Sequence, residues 1–404
     1  MARASGKRRP GRSAMALERK IACVDLFCGA GGLTHGLIEA GVNVVAGVDF
    51  EEACRHPYEA NHEGIEFHQA DVAELDPSTV AQWFGDCRVQ VLAGCAPCQP
   101  FSTYALRYQK GGTAAHDQRW SLLNHFGRLV EELHPDIVTM ENVPTVTRHA
   151  VFKKFRRRLQ CLGYRVWVDV VDCADYGLPQ RRNRTVLLAS LHGDIKLRDP
   201  AASEPRTVED VIKDLPALRH GATHKSDRLH TASRLSHLNH LRIQHSTPGG
   251  SWRDWPQHLV AECHRKKTGK KYPAVYGRMR YDEPAPTLTT QFYGYGNGRF
   301  GHPTQARGIS LREGALLQGF PPDYSFIADD RPLPLKALGR MIGNAVPVDL
   351  GRVIGESIVE HVKQHDEAFG SRAKRRQPIE RSSLSKKHAG GRNGDERTRR
   401  SVHA

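Results

Sequence analysis

Residues 21–49, IACVDLFCGAGGLTHGLIEAGVNVVAGVD, contain the pattern that decides the fold. An apolar run, Ile21–Leu26, enters a glycine-rich turn, which is followed by an amphipathic stretch over 32–40 and a second apolar run, Val42–Asp49. A strand, a turn, a helix and another strand in this order form the βαβ unit of a parallel sheet. The glycines have the spacing G-x-G-G instead of G-x-G-x-x-G, so alone they are a weak sign of ligand binding.

The same alternation continues to about residue 191 and predicts a doubly wound α/β fold with a parallel sheet. Five further strands are expected at Gly64–Gln69, Val89–Gly94, Asp136–Glu141, Tyr164–Asp172 and Arg184–Leu191. Further helices are expected over 51–61, 119–133 and 147–162. Beyond about 192 the periodicity weakens, until a compact stretch at 307–323 and a helix at Asp349–Val362. We therefore predict five parts: a disordered arm 1–20, an α/β domain 21–191, a smaller domain 192–335, a return segment 336–366 completing the first domain, and a disordered tail 367–404.

The composition is that of a globular protein and excludes several classes. The chain has 404 residues, 39% apolar and 25% charged. No apolar run approaches the ~18–20 residues that a membrane span needs. The basic N-terminus is not followed by an apolar segment with a small-residue cleavage site, so no secretory signal is expected. Nine cysteines without regular spacing favour reduced thiols in the cytoplasm over a disulfide framework.

The net charge of +15 is unevenly distributed. Residues 1–20 carry +6 and residues 371–404 carry +8, so the body of the chain is nearly neutral. Within that body, residues 219–280 contain thirteen Lys and Arg against three acids. This local excess indicates either a polyanion-binding face or a solvated charged surface. The tails have the composition of disordered arms.

Acidic residues occupy the predicted ends of the first three strands. Asp25, Asp49 and Asp71 stand near these ends, and Asp49 follows the glycine turn by about 20 residues. An acid at this spacing can bond a ribose hydroxyl at the carboxyl edge of a sheet. The alternative is ordinary capping and turn chemistry. The pattern favours a nucleoside-type cofactor.

Three further strand ends carry residues suited to catalysis. Cys95 and Cys98 form a C-x-x-C, which admits redox and half-zinc interpretations, but no second C-x-x-C completes a zinc site. A cysteine held between prolines at a strand end is also typical of a nucleophile. Glu141 ends the next strand, where its carboxylate can act as an acid or a hydrogen-bond partner for the same substrate. The alternative is that Glu141 caps the next helix. Arg182 and Arg184 lie two apart, so in an extended segment both point to one side and can grip a carbonyl or phosphate.

Together these segments resemble the DNA (cytosine-5) methyltransferase family, of the bacterial restriction-modification type. The motifs occur in the family's order and extend over about 21–365. They are DLFCGAGG at 25–32, PCQPFS at 97–102, ENVP at 141–144, QRRNR at 180–184, PAPTLTT at 284–290, SLREGALLQGFP at 310–321 and GNAVPV at 343–348. The resemblance implies a Rossmann-like AdoMet-dependent methyltransferase sheet with a smaller target-recognition domain.

The resemblance also implies the chemistry. Cys98 would add to C6 of a cytosine flipped out of duplex DNA, and C5 would then attack the methyl of S-adenosylmethionine. Glu141 would bond N3 and N4 of the base. Arg184 would bond the cytosine O2 or a phosphate, and Arg182 would order the site. Further alternatives are a tRNA cytosine-5 methyltransferase, a catalytically silent DNA-binding protein, and a redox protein in which Cys95 matters as much as Cys98.

For the cofactor, the resemblance implies stacking of Phe27 on adenine, backbone contacts at Gly29 and Gly31, and no metal. The other implied contacts are Asp49 to the ribose, Asp71 to the adenine amine, and Pro97, Asn344 and Ala345. Two departures from the family pattern occur: Asp49 stands where Glu is usual, and Thr103-Tyr104-Ala105 replaces a small-residue run. Asp117 and Arg119 fit the pattern.

The smaller domain 192–335 corresponds to the family's target-recognition domain, which reads base edges and holds phosphates. Trp252 and Trp255 are either part of a groove-facing loop or, as we favour, the centre of a small second core. The expected partners are double-stranded DNA and a cognate restriction endonuclease acting on the same site. We expect a monomeric, cytoplasmic, prokaryotic enzyme.

Overall fold

The computed structural model describes residues 21–96, 114–201 and 204–375. Its seven strands are β1 Ile21–Leu26, β2 Asn43–Asp49, β3 Glu66–Gln69, β4 Val89–Gly94, β5 Ile137–Asn142, β6 Arg165–Asp172 and β7 Asn183–Ser190. The helices of the α/β part are α1 Gly32–Glu39, α2 Arg55–Asn61, α3 Pro77–Phe84, α4 Ala114–Leu133 and α5 Ala150–Cys161. Later helices are α6 Glu209–Ile212, α7 His237–Gln244, α8 Glu262–Arg265, α9 Leu311–Leu317, α10 Leu335–Asn344, α11 Val348–Gln364 and α12 Asp366–Arg375. None of these helices is long and apolar enough to cross a membrane.

One mixed sheet organises the α/β part, in the order β3-β2-β1-β4-β5-β7-β6. The five strands from β3 to β5 are parallel, whereas β7 runs antiparallel to both β5 and β6. The predicted α/β fold is confirmed, but the prediction of a wholly parallel sheet is wrong at β7. The reason is the short link over 173–182 between β6 and β7, because a parallel return needs a crossover of about a dozen residues or more.

Apolar side chains on both faces of the sheet are covered by helices. Alternate residues of β1 face opposite ways: Cys23 packs in a cluster with Leu37 of α1 and Ile354 of α11, while Val24 packs in a cluster with Phe126 of α4. Helix α11 thus returns from the far end of the chain to cover the central strand. The two-sided burial explains why the central strands read as nearly continuous apolar runs.

The later part of the chain has its own apolar clusters. A large one joins Ala30 of the glycine turn to Phe292, Leu317 and Val348, so the turn and the later chain share one core. A smaller one contains Trp252 and Trp255, both below 10% exposed, with Leu259 and Tyr295. The indole nitrogens donate to the Tyr272 carbonyl and to Ser246 Oγ. The prediction that the two tryptophans build a second core is confirmed.

The C-terminal end of the described chain differs from the predicted tail. Helix α12 continues to Arg375, whereas a disordered tail was expected from 367. Its Phe369 is buried against His192. Asp366 forms an ion pair with Arg88, with 2.9 Å between Asp366 Oδ1 and Arg88 Nη1. Helix α12 has three basic and two acidic residues, and the buried Phe369 and the Asp366–Arg88 ion pair dock it, which the composition of the whole tail does not reveal.

Candidate cofactor and active site

The glycine turn after β1 approaches the neighbouring strand end closely. Gly29 and Gly31 have φ of 53° and 85°, in the left-handed region that glycine adopts without strain, and Phe27 has φ of 61°. The Gly29 N–H donates to Asp49 Oδ2 at 2.9 Å, while Asp49 Oδ1 accepts from the Glu51 N–H at 2.9 Å. Asp49 therefore fastens the turn to the end of β2 and retains lone pairs for further hydrogen bonds.

Residues from the far end of the chain lie against the same turn. A Cβ at Gly32 would lie 2.2 Å from the Val346 carbonyl oxygen, so only glycine allows this approach. Asn344 ends α10 and is exposed, and the half-buried Ala345 packs on the cluster that contains Ala30. The structure thus brings together the turn and the 344–346 segment, which are some 300 residues apart in sequence.

A cavity of about 430 Å³ opens beside the ends of β2 and β3. Asp71 lies in its lining with Gln69 and Leu75, and Asp71 Oδ1 accepts from the Ala73 N–H at 2.8 Å. Phe50 also lines it and is 70% exposed, which is unusual for a phenylalanine. Phe50 is not among the residues predicted for the site, although an aromatic residue directly after the strand-end Asp49 is a signal visible in the sequence. An apolar ring beside free carboxylates suits an adenosine group.

Asp25 is the most perturbed acid in this region. It is fully buried below the turn, where one oxygen accepts from Thr34 Oγ1 at 2.7 Å. Burial raises the pKa of Asp25 to about 7, since the hydrogen bond from Thr34 only partly opposes the loss of water. The charge of Asp49 acts in the same direction as burial. Asp25 is therefore half-protonated near neutral pH.

This pKa predicts a pH-dependent penalty on stability. Between about pH 4 and 7 the native state binds more protons at Asp25 than the unfolded state, so the free energy of unfolding falls as pH rises through that window. The asparagine side chain of the Asp25→Asn variant cannot ionise. The free energy of unfolding of this variant, minus that of the unmutated protein, should therefore rise by up to about 4 kcal/mol as the pH increases through this window. Urea unfolding at pH 4.5 and 8 measures the change. Exposed Asp86→Asn is the control, and an equal pH trend in both variants would contradict the prediction.

The end of β5 holds a buried ion pair. Arg184 Nε lies 2.7 Å from Glu141 Oε1, and both side chains are about nine-tenths buried. The next residue, Asn142, donates from Nδ2 to the Ala96 carbonyl at 2.9 Å. Glu141 is thus held beside the end of β4, at the edge where the glycine turn also lies. The structure brings together two of the four residues expected to be catalytic, Glu141 and Arg184.

Arg182 has a different set of contacts. Its guanidinium donates to the carbonyls of Leu288 and Gly343 at 2.8 and 2.9 Å. Gln180, two residues earlier, is also buried and donates to the Leu317 carbonyl at 2.9 Å. These hydrogen bonds join the segment directly before β7 to residues in the range 288–343. Arg182 therefore contacts carbonyl oxygens of the later chain, and Arg184 is the arginine that meets Glu141.

Cys98 and Pro97 lie outside the described residues, as does the whole PCQPFS segment, and nothing is described of the side chains of Asp117 and Arg119. Cys95 is described: burial raises the pKa of its thiol well above the usual range, and the Glu141 carboxylate adds to the effect. Its thiol is therefore protonated at neutral pH and a poor nucleophile. No group of three or more metal-ligating side chains occurs within the described ranges.

The sheet order with its reversed β7, and the glycine turn at its carboxyl edge, define a class: the α/β methyltransferases that use S-adenosylmethionine. A structure solved for an E. coli prophage protein, a candidate DNA modification methyltransferase, has this fold. It superposes with a TM-score of 0.65 at 24% identity, covering 85% of this chain and 99% of the other.

The chain belongs to the C-5 cytosine-specific DNA methylase family, whose model matches residues 21–360. It is similar to the Type II methylase M.HgiDII of Herpetosiphon aurantiacus, with 49% identity over 83% of this chain and 94% of that protein. It is also similar to the Type II methyltransferase M1.HphI of Haemophilus parahaemolyticus, with 30% identity over 83% of this chain and 86% of that protein. The resemblance found in the sequence is confirmed, and the protein is a DNA (cytosine-5) methyltransferase with S-adenosylmethionine as the implied methyl donor.

Proposed function

We propose that the protein methylates C5 of a cytosine flipped out of a specific duplex DNA sequence, through a covalent bond from Cys98 to C6. The observation that supports this most directly is the buried ion pair of Glu141 and Arg184 at the edge that carries the glycine turn. A carboxylate and a guanidinium held side by side match the ring edge of cytosine, which presents N3, N4 and O2.

The chemistry explains why a thiol is needed. C5 of cytosine is a poor nucleophile until a thiolate adds to C6, which gives C5 enamine character. Glu141 then hydrogen-bonds N3 and N4 and stabilises the charge that develops on addition. Arg184 bonds O2, and Arg182 acts as a positioning residue through the carbonyls of Leu288 and Gly343. Once C5 has taken the methyl group, a solvent base removes the C5 proton, and β-elimination frees the Cys98 thiolate.

The residues around the glycine turn fit S-adenosylmethionine. Helix α1 begins at Gly32, directly after the turn, so the turn stands at a helix N-terminus. We assign Asp49 to the ribose, and Asp71 with the apolar rings of Phe27 and Phe50 to the adenine. We assign Asn344 and Ala345 to the methionine end, and Gly29, Gly31 and Pro97 to further cofactor contacts. When bound, the cofactor supplies an electrophilic methyl group.

We further propose that residues 21–191 and 336–366 form the catalytic domain and 192–335 the target-recognition domain. The basic segment 219–280 supplies the phosphate contacts. Type II names among the relatives support a role as the modification enzyme of a restriction-modification system. A cognate endonuclease would share its site, and we propose a monomer that acts on cytoplasmic DNA.

Transfer of labelled methyl groups tests this function. The native protein is incubated with labelled S-adenosylmethionine and either unmethylated bacterial duplex DNA or bulk tRNA. We expect label in DNA only, recovered as 5-methyldeoxycytidine after digestion to nucleosides. Label in tRNA alone would move the activity to RNA. Absence of label from both, with DNA binding retained, would show a silent DNA-binding protein.

A further inference from the structure

The basic segment 219–280 is not the only strongly basic part of the folded chain. Residues 148–165 contain seven Lys and Arg and no Asp or Glu. Outside this stretch and 219–280, the rest of 21–370 has 21 basic and 37 acidic residues. A segment without any acid, within a remainder that is strongly acidic, is a distinct region of positive potential.

The structure places these cations on one side of helix α5, Ala150–Cys161. Phe152, Phe155 and Leu159 are buried, and Phe155 stacks on Phe126 at 5.3 Å. The opposite side carries four exposed cations, namely Lys153, Lys154, Arg156 and Arg157. Spacings of three and four residues put them next to one another on the helix surface. We call these four side chains the α5 basic face.

No carboxylate within the described ranges pairs with the α5 basic face. Arg158, which is half-buried, forms an ion pair with Glu131 at 3.5 Å. Among the residues that the structure describes, none of the four exposed cations forms an ion pair. Like charges at this spacing repel one another by a few tenths of a kcal/mol per pair. Such a face is suited to a ligand that supplies negative charge.

The α5 basic face also begins near the edge of the sheet that holds Glu141. Strand β5 ends at Asn142, a 3-10 turn covers Pro144–Arg148, and α5 follows directly. Arg148 is exposed at that junction. Twelve helical residues extend about 18 Å, a length that corresponds to roughly five base pairs of duplex. The row of cations thus leads away from Glu141 along the outside of the α/β part.

We propose that the α5 basic face binds the phosphates of duplex DNA flanking the target site, outside the cleft that holds the flipped base. This inference rests on the proposed action on duplex DNA. The face would lengthen the DNA footprint beyond the recognition domain and add sequence-independent affinity. It contributes binding and no chemistry.

The test compares two variants that lose the same charge. One is K153Q/K154Q, and the matched control is K336Q/K363Q, two exposed lysines outside residues 192–335. Fluorescence anisotropy measures binding to labelled duplexes of 12 and 40 base pairs over a range of salt. On the longer duplex the first variant should bind at least about tenfold more weakly near 0.1 M salt. Its plot of log affinity against log salt should be shallower by about 1–2.

The 12-base-pair duplex should show a smaller loss, because it extends little beyond the cleft. Native-like binding of the first variant to the 40-base-pair duplex, or an equal loss in the control variant, would overturn the proposal. A loss confined to an RNA duplex of the same length would also overturn it. Methyl transfer by the native protein is measured in parallel: its absence from DNA contradicts the proposed function, whereas a normal rate with unchanged binding of the first variant contradicts only the α5 basic face.

Discussion

Replacing Cys98 with alanine is expected to abolish methyl transfer to DNA, while Cys95→Ala retains it within about tenfold. Loss of a covalent nucleophile lowers the rate by a factor on the order of 10⁴ or more. Cys95 is three residues earlier, yet burial and the Glu141 carboxylate raise the pKa of its thiol well above the usual range. A thiol that stays protonated cannot add to a base. The assay is labelled methyl transfer, with binding of S-adenosylmethionine measured by calorimetry in both variants.

The two cysteine variants control for each other, since both remove one sulfur from the same C-x-x-C. Both should bind S-adenosylmethionine like the native protein. A duplex containing 5-fluorocytosine adds a second readout, because fluorine at C5 blocks the proton loss that precedes elimination. The native protein and Cys95→Ala should then form a complex with DNA that withstands denaturant, and Cys98→Ala should not. Equal loss of activity in both variants would favour the redox interpretation of the C-x-x-C.

The second large effect is on stability and concerns the ion pair of Arg307 and Glu313. Both side chains are fully buried, and two N–O distances of 2.7 Å join them. Burial opposes ionisation of Glu313, but the hydrogen bonds and charge of Arg307 outweigh it and hold the pKa of Glu313 below its usual range. Glu313→Ala would leave a buried, unpaired guanidinium. We expect the free energy of unfolding to fall by about 3–5 kcal/mol.

Urea unfolding at pH 7.5 measures this effect against a matched exposed pair. Lys196 and Asp199 lie 3.2 Å apart and are both well exposed, so Asp199→Ala should cost less than about 1 kcal/mol. Glu313→Gln keeps the shape and serves if the alanine variant does not fold. Because the pKa of Glu313 is lowered, its contribution is present at neutral pH and is lost as pH falls through the native pKa. Equal costs for the Glu313 and Asp199 variants would contradict the prediction.

Much of the sheet was predictable because buried parallel strands leave a continuous apolar signal. The strand limits predicted around β1 and β4 match the structure at Ile21–Leu26 and Val89–Gly94. The direction of β7 was not predictable from periodicity, since a strand has the same side-chain pattern in either direction. The length of the 173–182 link held that information. Helix α12 was not predicted because the strongly basic sequence beyond residue 375 dominates the composition of the tail, whereas docking depends on the burial of Phe369.

The residues of the candidate site were likewise predictable from the sequence, whereas their contacts were not. Motif residues such as Glu141 and Asp49 were identifiable because their types and order are specific. Their pairing was not: only the structure shows that Arg184 meets Glu141 whereas Arg182 turns to carbonyl oxygens. Arg182 and Arg184 are equivalent in an extended segment, and their different partners depend on the later chain. The exposure of Phe50 and the burial of Asp25 likewise depend on packing.

The α/β class, the order of the motifs and the family were predictable from the amino-acid sequence, because strand periodicity and residue type are local properties. The tertiary structure decided which of those residues meet, and with what protonation and partners. It brought Val346 to Gly32 across some 300 residues, buried Asp25, and set four exposed cations along α5. Contacts between distant segments, and the loss of water that they cause, arise only when the chain is folded, and no local pattern encodes them.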